Sequence, residues 1–129
     1  GVQTCALPIS LDHVAAEKIK RKGDELHLSL VPTKDIAAEL GRLKRCNQKL
    51  VGFALETTNE KENAKQKMKK KNLDFIVLNS LKDAGAGFSY DTNKVTILSA
   101  TEEQSFPLKA KREVACDIIE KLCESIGNL

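Results

Sequence analysis

Residues 65–71 read Lys65, Gln66, Lys67, Met68, Lys69, Lys70, Lys71, and they lead straight into the apolar run LDFIVLNS. They are the densest charged group in the chain. Residues four apart share a face of an α-helix. In a helix expected over 59–71, Ala64 and Met68 are the apolar positions and mark the side that meets the domain. Lys67 and Lys71 lie four apart beside that stripe, whereas Lys65, Lys69 and Lys70 point away toward solvent. On spacing alone, two readings of the inner pair stay open. Their stems can cover apolar surface while the ammonium groups reach water. Equally, two cations held together suit a polyphosphate.

The remaining chemistry is sparse. A second basic cluster, KIKR at 18–21 with Lys22 after it, reads as a solubilising edge in which Lys18 and Lys20 point the same way. There is no G-x-x-x-x-G-K-[ST] phosphate loop. The GAGF at 85–88 follows an expected strand, but Tyr90 stands where a third glycine of G-x-G-x-x-G belongs, and a loop rather than a helix follows. Cys5, Cys46, Cys116 and Cys123 form no C-x-x-C pair, and His13 and His27 lie far from them, which argues against a zinc site. Cys116 and Cys123, seven apart on an expected helix, read as buried small hydrophobes. A net charge of +3 is too small to imply nucleic acid by itself, and one Tyr, four Phe and no Trp offer few stacking platforms for single strands. No apolar stretch is long enough to cross a membrane. The cysteine usage fits a reduced, cytoplasmic protein.

The 129 residues make one domain or a piece of one. Residues 17–25, broken by Gly23, read as a loop or the approach to a strand. The run ELHLSLVP alternates, so a half-buried strand ending at Pro32 is expected. Thr33 reads as the N-cap of a helix carrying Ile36, Ala37, Leu40 and Leu43. KLVGFALET reads as a strand buried on both faces, and the lysine-bearing helix follows. LDFIVLNS is a second buried strand, LKDAGAGFSYDTN a loop and KVTILSA a third strand. A final helix within 106–127 presents Val114, Ala115, Ile118, Ile119 and Leu122 on one side, with Gly127 as its stop. This order predicts a Rossmann-like three-layer αβα domain with a parallel sheet, whose ligands bind at the carboxyl ends of the strands.

Taken in order, EKIKRK, PTKDIAAELG, LVGFALET, KKKNLDFIVLNS and GAGFSYDTNKVTIL resemble the C-terminal part of the phosphopantothenoylcysteine synthetase family over about residues 11–126. In bacteria this is usually the second half of a bifunctional phosphopantothenoylcysteine decarboxylase/synthetase of coenzyme A biosynthesis. The resemblance implies a CTP-dependent ligase that joins 4'-phosphopantothenate to L-cysteine through an acyl-cytidylate. It also implies Mg²⁺ beside the triphosphate, a cytoplasmic homodimer, and no nucleic-acid or membrane partner. Lys18 matches a flap lysine that binds CTP and assists turnover. Lys34, Asp35, Ile36 and Ala37 match a nucleotide-contacting stretch at a helix N-terminus. Phe53 matches a nucleotide-binding position near a strand end, and Lys67 and Lys71 match two lysines of the following helix. Metal ligands are not implied.

The chain also departs from the family. Gly1 to Ile9 resembles the translation of a sequencing-library adapter, so residues 1–10 are expected to be non-native and the domain to be truncated at its N-terminus. Pro8 falls where an AAVADYRP-like segment would supply a nucleotide-contacting Asp. The Gly-rich phosphate segment, the Asn that handles the acyl-cytidylate and the FMN-dependent decarboxylase domain are not in the 129 residues. The fragment alone is therefore expected to be inactive. From another class, the alternative is a non-catalytic α/β module whose lysine-rich helix binds nucleic acid or acidic partners.

Overall fold

A computed structural model describes residues 9–12, 16–17, 23, 27–80 and 90–127. The chain divides into two units, one of residues 6–35 and one built on residues 36–129. In the first, β1 (Ile9–Leu11) pairs antiparallel with β2 (Leu30–Pro32), Ile9 opposite Pro32 and Leu11 opposite Leu30. Within the alternating run the strand is only Leu30–Pro32, and His27, Leu28 and Ser29 precede it outside any strand. Leu28 and Leu30 are 57% and 51% exposed. A pair of three-residue strands offers too small a face to bury them.

The second unit begins with α1 (Ile36–Leu43), β3 (Val51–Glu56), α2 (Glu60–Lys70) and β4 (Phe75–Ser80). Then come β5 (Thr92–Asn93), β6 (Val95–Ser99), β7 (Glu103–Ser105), β8 (Lys109–Ala110) and α3 (Lys111–Gly127). α1 begins at Ile36, so the flanking position falls to Asp35 and not to Thr33. The main sheet has the order β3-β4-β6-β7. Only β3 and β4 run parallel, joined by the α2 crossover, with Val51 opposite Phe75 and Glu56 opposite Ser80. The expected parallel pair is therefore present, and β6 and β7 extend it antiparallel into a mixed sheet. A short turn joins them, and the Ser99 hydroxyl accepts the Glu102 N–H at 3.0 Å there. A turn that short can only connect antiparallel strands.

One helix covers each face. Ala64 and Met68 of α2 pack on Ala54, Ile76, Leu78 and Leu98. Val114 of α3 packs on Phe75, Val77, Val95 and Ile97, with Ile118 and Leu122 beside them. The result is a three-layer αβα unit. β4 is buried along Phe75–Leu78, as its continuous apolar run predicts. β3 is different: it is an edge strand of this sheet, and Phe53 is 67% exposed on the α3 side. α3 also buries a narrower stripe than its sequence suggests, since Ala115 and Ile119 are exposed. Cys116 and Cys123 are exposed free thiols on its outer side, not buried hydrophobes. Among the described residues no helix is long and apolar enough to cross a membrane.

Candidate functional site

The charged centre of the unit sits where β3 ends. Glu56, its last residue, points to the α2 face and is only 7% exposed. A carboxylate taken from water needs compensation. Lys67 supplies it, donating from Nζ to Oε1 at 2.5 Å, and Asn63 Nδ2 approaches Oε2 at 3.4 Å. The burial pattern of α2 follows the spacing argument. Ala64 and Met68 are buried, Lys67 and Lys71 are half-buried, and Lys65, Lys69 and Lys70 are exposed. The inner lysines therefore lie beside the apolar stripe. Lys67 is already held by an acid at the carboxyl end of a parallel strand, the position where open α/β sheets bind ligands.

α2 ends in a defined way. Asn72 takes a left-handed conformation, φ 49°. The Leu73 N–H returns to the Met68 carbonyl at 3.0 Å, and the Asn72 N–H to that of Lys69 at 3.2 Å. This is a Schellman closure, with Leu73 packing on the core. α1 seats on that closure. A Cβ built on Gly41 would lie 1.8 Å from the Lys71 carbonyl oxygen, so only glycine allows the approach. Asn72 Nδ2 donates to the Gly41 carbonyl at 2.7 Å. Ala37, one turn before Gly41 on the same helix, is half-buried, while Ile36 is 62% exposed. The structure thus brings α1 onto the end of the lysine helix through Gly41 at Lys71.

Phe53 is not brought to the same side. It lies on the face of β3 opposite Glu56 and Lys67, so a ligand shared by all three must cross the outer edge of the strand. Lys34 is exposed and Asp35 half-buried, and both belong to the 6–35 unit. Lys18 and the GAGF segment lie outside the described residues.

A family profile described as the DNA/pantothenate metabolism flavoprotein C-terminal domain, or DFP, matches residues 10–126. The chain belongs to this family. Among curated proteins, it is 58% identical over 107 residues to a cysteine/cysteine sulfinic acid decarboxylase from an unknown prokaryotic organism, covering 82% of this chain and 30% of that protein. It is 37% identical over 111 residues to the coenzyme A biosynthesis bifunctional protein CoaBC of Haemophilus influenzae, covering 86% of this chain and 28% of that protein. The chain thus spans less than a third of the length of these relatives. Among solved structures, the C-terminal domain of a coenzyme A biosynthesis bifunctional protein CoaBC superposes with a TM-score of 0.66 at 33% identity, over 79% of this chain and 46% of that one. The DFP domain described here is accordingly Rossmann-like α/β.

Two residues that shape this region were not singled out from the sequence. Glu56 closes an otherwise apolar run, and an acid placed there, seven residues after Lys49, carries little signal until α2 folds over it. Gly41 sits mid-helix in AAELGRL, where glycine is unfavourable by about 1 kcal/mol relative to alanine. That local cost was the clue to a close contact.

Proposed function

We propose that this DFP domain is the nucleotide-handling part of a CTP-dependent ligase that makes phosphopantothenoylcysteine for coenzyme A. One observation supports the reading above others: Lys67 is fixed by Glu56 at the carboxyl end of β3, beside Lys71 at the α1–α2 junction. In this reading the carboxylate of 4'-phosphopantothenate attacks the α-phosphorus of CTP. A carboxylate–phosphorus bond forms, the α–β phosphoanhydride breaks, and pyrophosphate leaves. The amine of L-cysteine then attacks the acyl carbon, forming the amide and expelling CMP. Lys67 and Lys71 bind the phosphates and offset charge developing on them. By the family resemblance, Lys18, Lys34, Asp35, Ile36, Ala37 and Phe53 are further nucleotide-contacting positions. Mg²⁺ arrives with the triphosphate. Among the described residues no three His, Cys, Asp or Glu side chains converge on a metal position, and Mg²⁺ is commonly held largely by phosphates and water. Following the family resemblance, FMN chemistry is assigned to a decarboxylase part of a longer, cytoplasmic, homodimeric parent.

The test is pyrophosphate release by the parent chain in the presence of CTP, 4'-phosphopantothenate and L-cysteine. Lys67→Ala is expected to abolish it. Normal turnover in that variant sinks the site assignment, and equal turnover with ATP contradicts CTP as the nucleotide. A second reading rests on the 58% identity to a cysteine/cysteine sulfinic acid decarboxylase. There the parent releases CO₂ from one of those amino acids with no nucleotide requirement, and the same preparations distinguish the two.

A further inference from the structure

At the opposite end of β3 from Glu56, the exit of α1 borders an open cleft of about 610 Å³. Small-molecule sites commonly have this volume. Leu40, Leu43 and Leu50 give it apolar surface, and Lys44, Arg45 and Lys49 give it charge. These cations are unequally balanced. Asp74 accepts from Lys44 Nζ at 2.8 Å and from the Leu50 N–H at 2.7 Å. Lys49 Nζ stands 3.8 Å from the other Asp74 oxygen, beyond hydrogen-bond range. Yet the Lys49 side chain is only 18% exposed. Among the described residues, nothing accepts from its three N–H donors. The Arg45 guanidinium has no acid partner among them either. Three cations against one carboxylate leave an excess of two positive charges around an apolar wall.

This excess positive charge favours an arriving anion, to which the Lys49 ammonium and the Arg45 guanidinium can donate. We propose that this cleft binds a small amphiphilic oxyanion, a carboxylate or phosphate monoester on a short apolar chain. The head sits on Lys49 and Arg45, where the planar guanidinium matches either group, and the chain lies along the leucines. The site is separate from the lysine pair of α2 and stands whether or not the ligase reading does.

The test is an amide-resolved NMR titration of the 129-residue chain with octyl phosphate, octanoate, inorganic phosphate and 1-octanol. Octyl phosphate or octanoate should shift the amides of residues 43–50, with affinity of roughly millimolar order for a ligand of that size. Whichever binds tighter identifies the head group. Inorganic phosphate, lacking the chain, and octanol, lacking the charge, should each bind at least about tenfold more weakly. Lys49→Met should weaken octyl phosphate binding by a similar factor. Arg45→Gln, at an exposed side chain that cannot disturb folding, should weaken it without changing the melting temperature. Octanol binding as tightly as octyl phosphate overturns the proposal, as do shifts that fall elsewhere or unchanged affinity in Arg45→Gln.

Discussion

Replacing Gly41 by alanine sets two physical effects against each other. In an isolated helix the change is favourable by about 1 kcal/mol. In this structure the new Cβ would lie 1.8 Å from the Lys71 carbonyl oxygen, 2.8 Å from its carbon and 3.2 Å from Asn72 Cβ. Two of those atoms are backbone, in a helix end fixed by the Schellman closure, so neither can rotate away. α1 must lift. Overpacking of this kind costs about 1–3 kcal/mol, and losing the 2.7 Å bond from Asn72 Nδ2 to the Gly41 carbonyl adds about 1 kcal/mol. The contact terms exceed the propensity gain, leaving Gly41→Ala less stable by about 1–3 kcal/mol. For a domain of this size that lowers the melting temperature by roughly 4–12 °C. Urea and thermal unfolding of the 129-residue chain measure it. Asn72→Gly is the control: it keeps the left-handed turn, removes only the hydrogen bond, and should lose about 1 kcal/mol. A Gly41→Ala chain as stable as the parent, or more so, refutes the close seating of α1 on α2.

Other outcomes follow from individual groups. Burial works to raise the pKa of Asp74, but hydrogen bonds from Lys44 and Leu50 and the charges of Lys44 and Lys49 outweigh it and hold the carboxyl below its ordinary value. The resulting stability is present above the unfolded carboxyl range near ~4 and is lost as pH falls through the lower folded value. Asp74→Asn should flatten the acid limb of stability against pH; an unchanged limb contradicts this. Lys67→Ala strands the Glu56 carboxylate and should cost about 1–3 kcal/mol in denaturant unfolding. Adding Glu56→Gln should restore much of that stability but none of the CTP-dependent turnover, which separates structure from function at the pair. Phe53→Ala removes an exposed ring, so the melting temperature should stay within about 2 °C while nucleotide affinity falls; a large loss of stability would mean the ring is packed.

The sequence was most readable where one local rule decided the outcome. β4 is a continuous apolar run between charged and Gly-rich flanks, and it is a buried strand. α2 was fixed by two apolar residues four apart, and its lysines divided as that stripe required. β7, of sequence EQS with every residue exposed, has no periodic signal, because an edge strand is made by its neighbour's backbone. The direction of β7 against β6 depended on the turn held by Ser99, which no apolar periodicity signals. The expected burial of β3 on both faces fails at Phe53 alone on the α3 side, since Val51 is half-buried and Leu55 is buried there. The pairing of Glu56 with Lys67 joins residues eleven apart through the crossover and exists only once α2 lies on the sheet.

The crowding of positive charge at the end of α2 has a cost when the site is empty. Lys67, Lys69, Lys70 and Lys71 fall within five residues, and Lys67 and Lys71 repel each other across one turn. Glu56 offsets the charge of Lys67. A bound polyanion would offset the repulsion among these neighbouring lysines further. Choice of buffer becomes a structural variable: at equal ionic strength, tripolyphosphate should raise the melting temperature above chloride, most strongly at low salt, where screening is weakest.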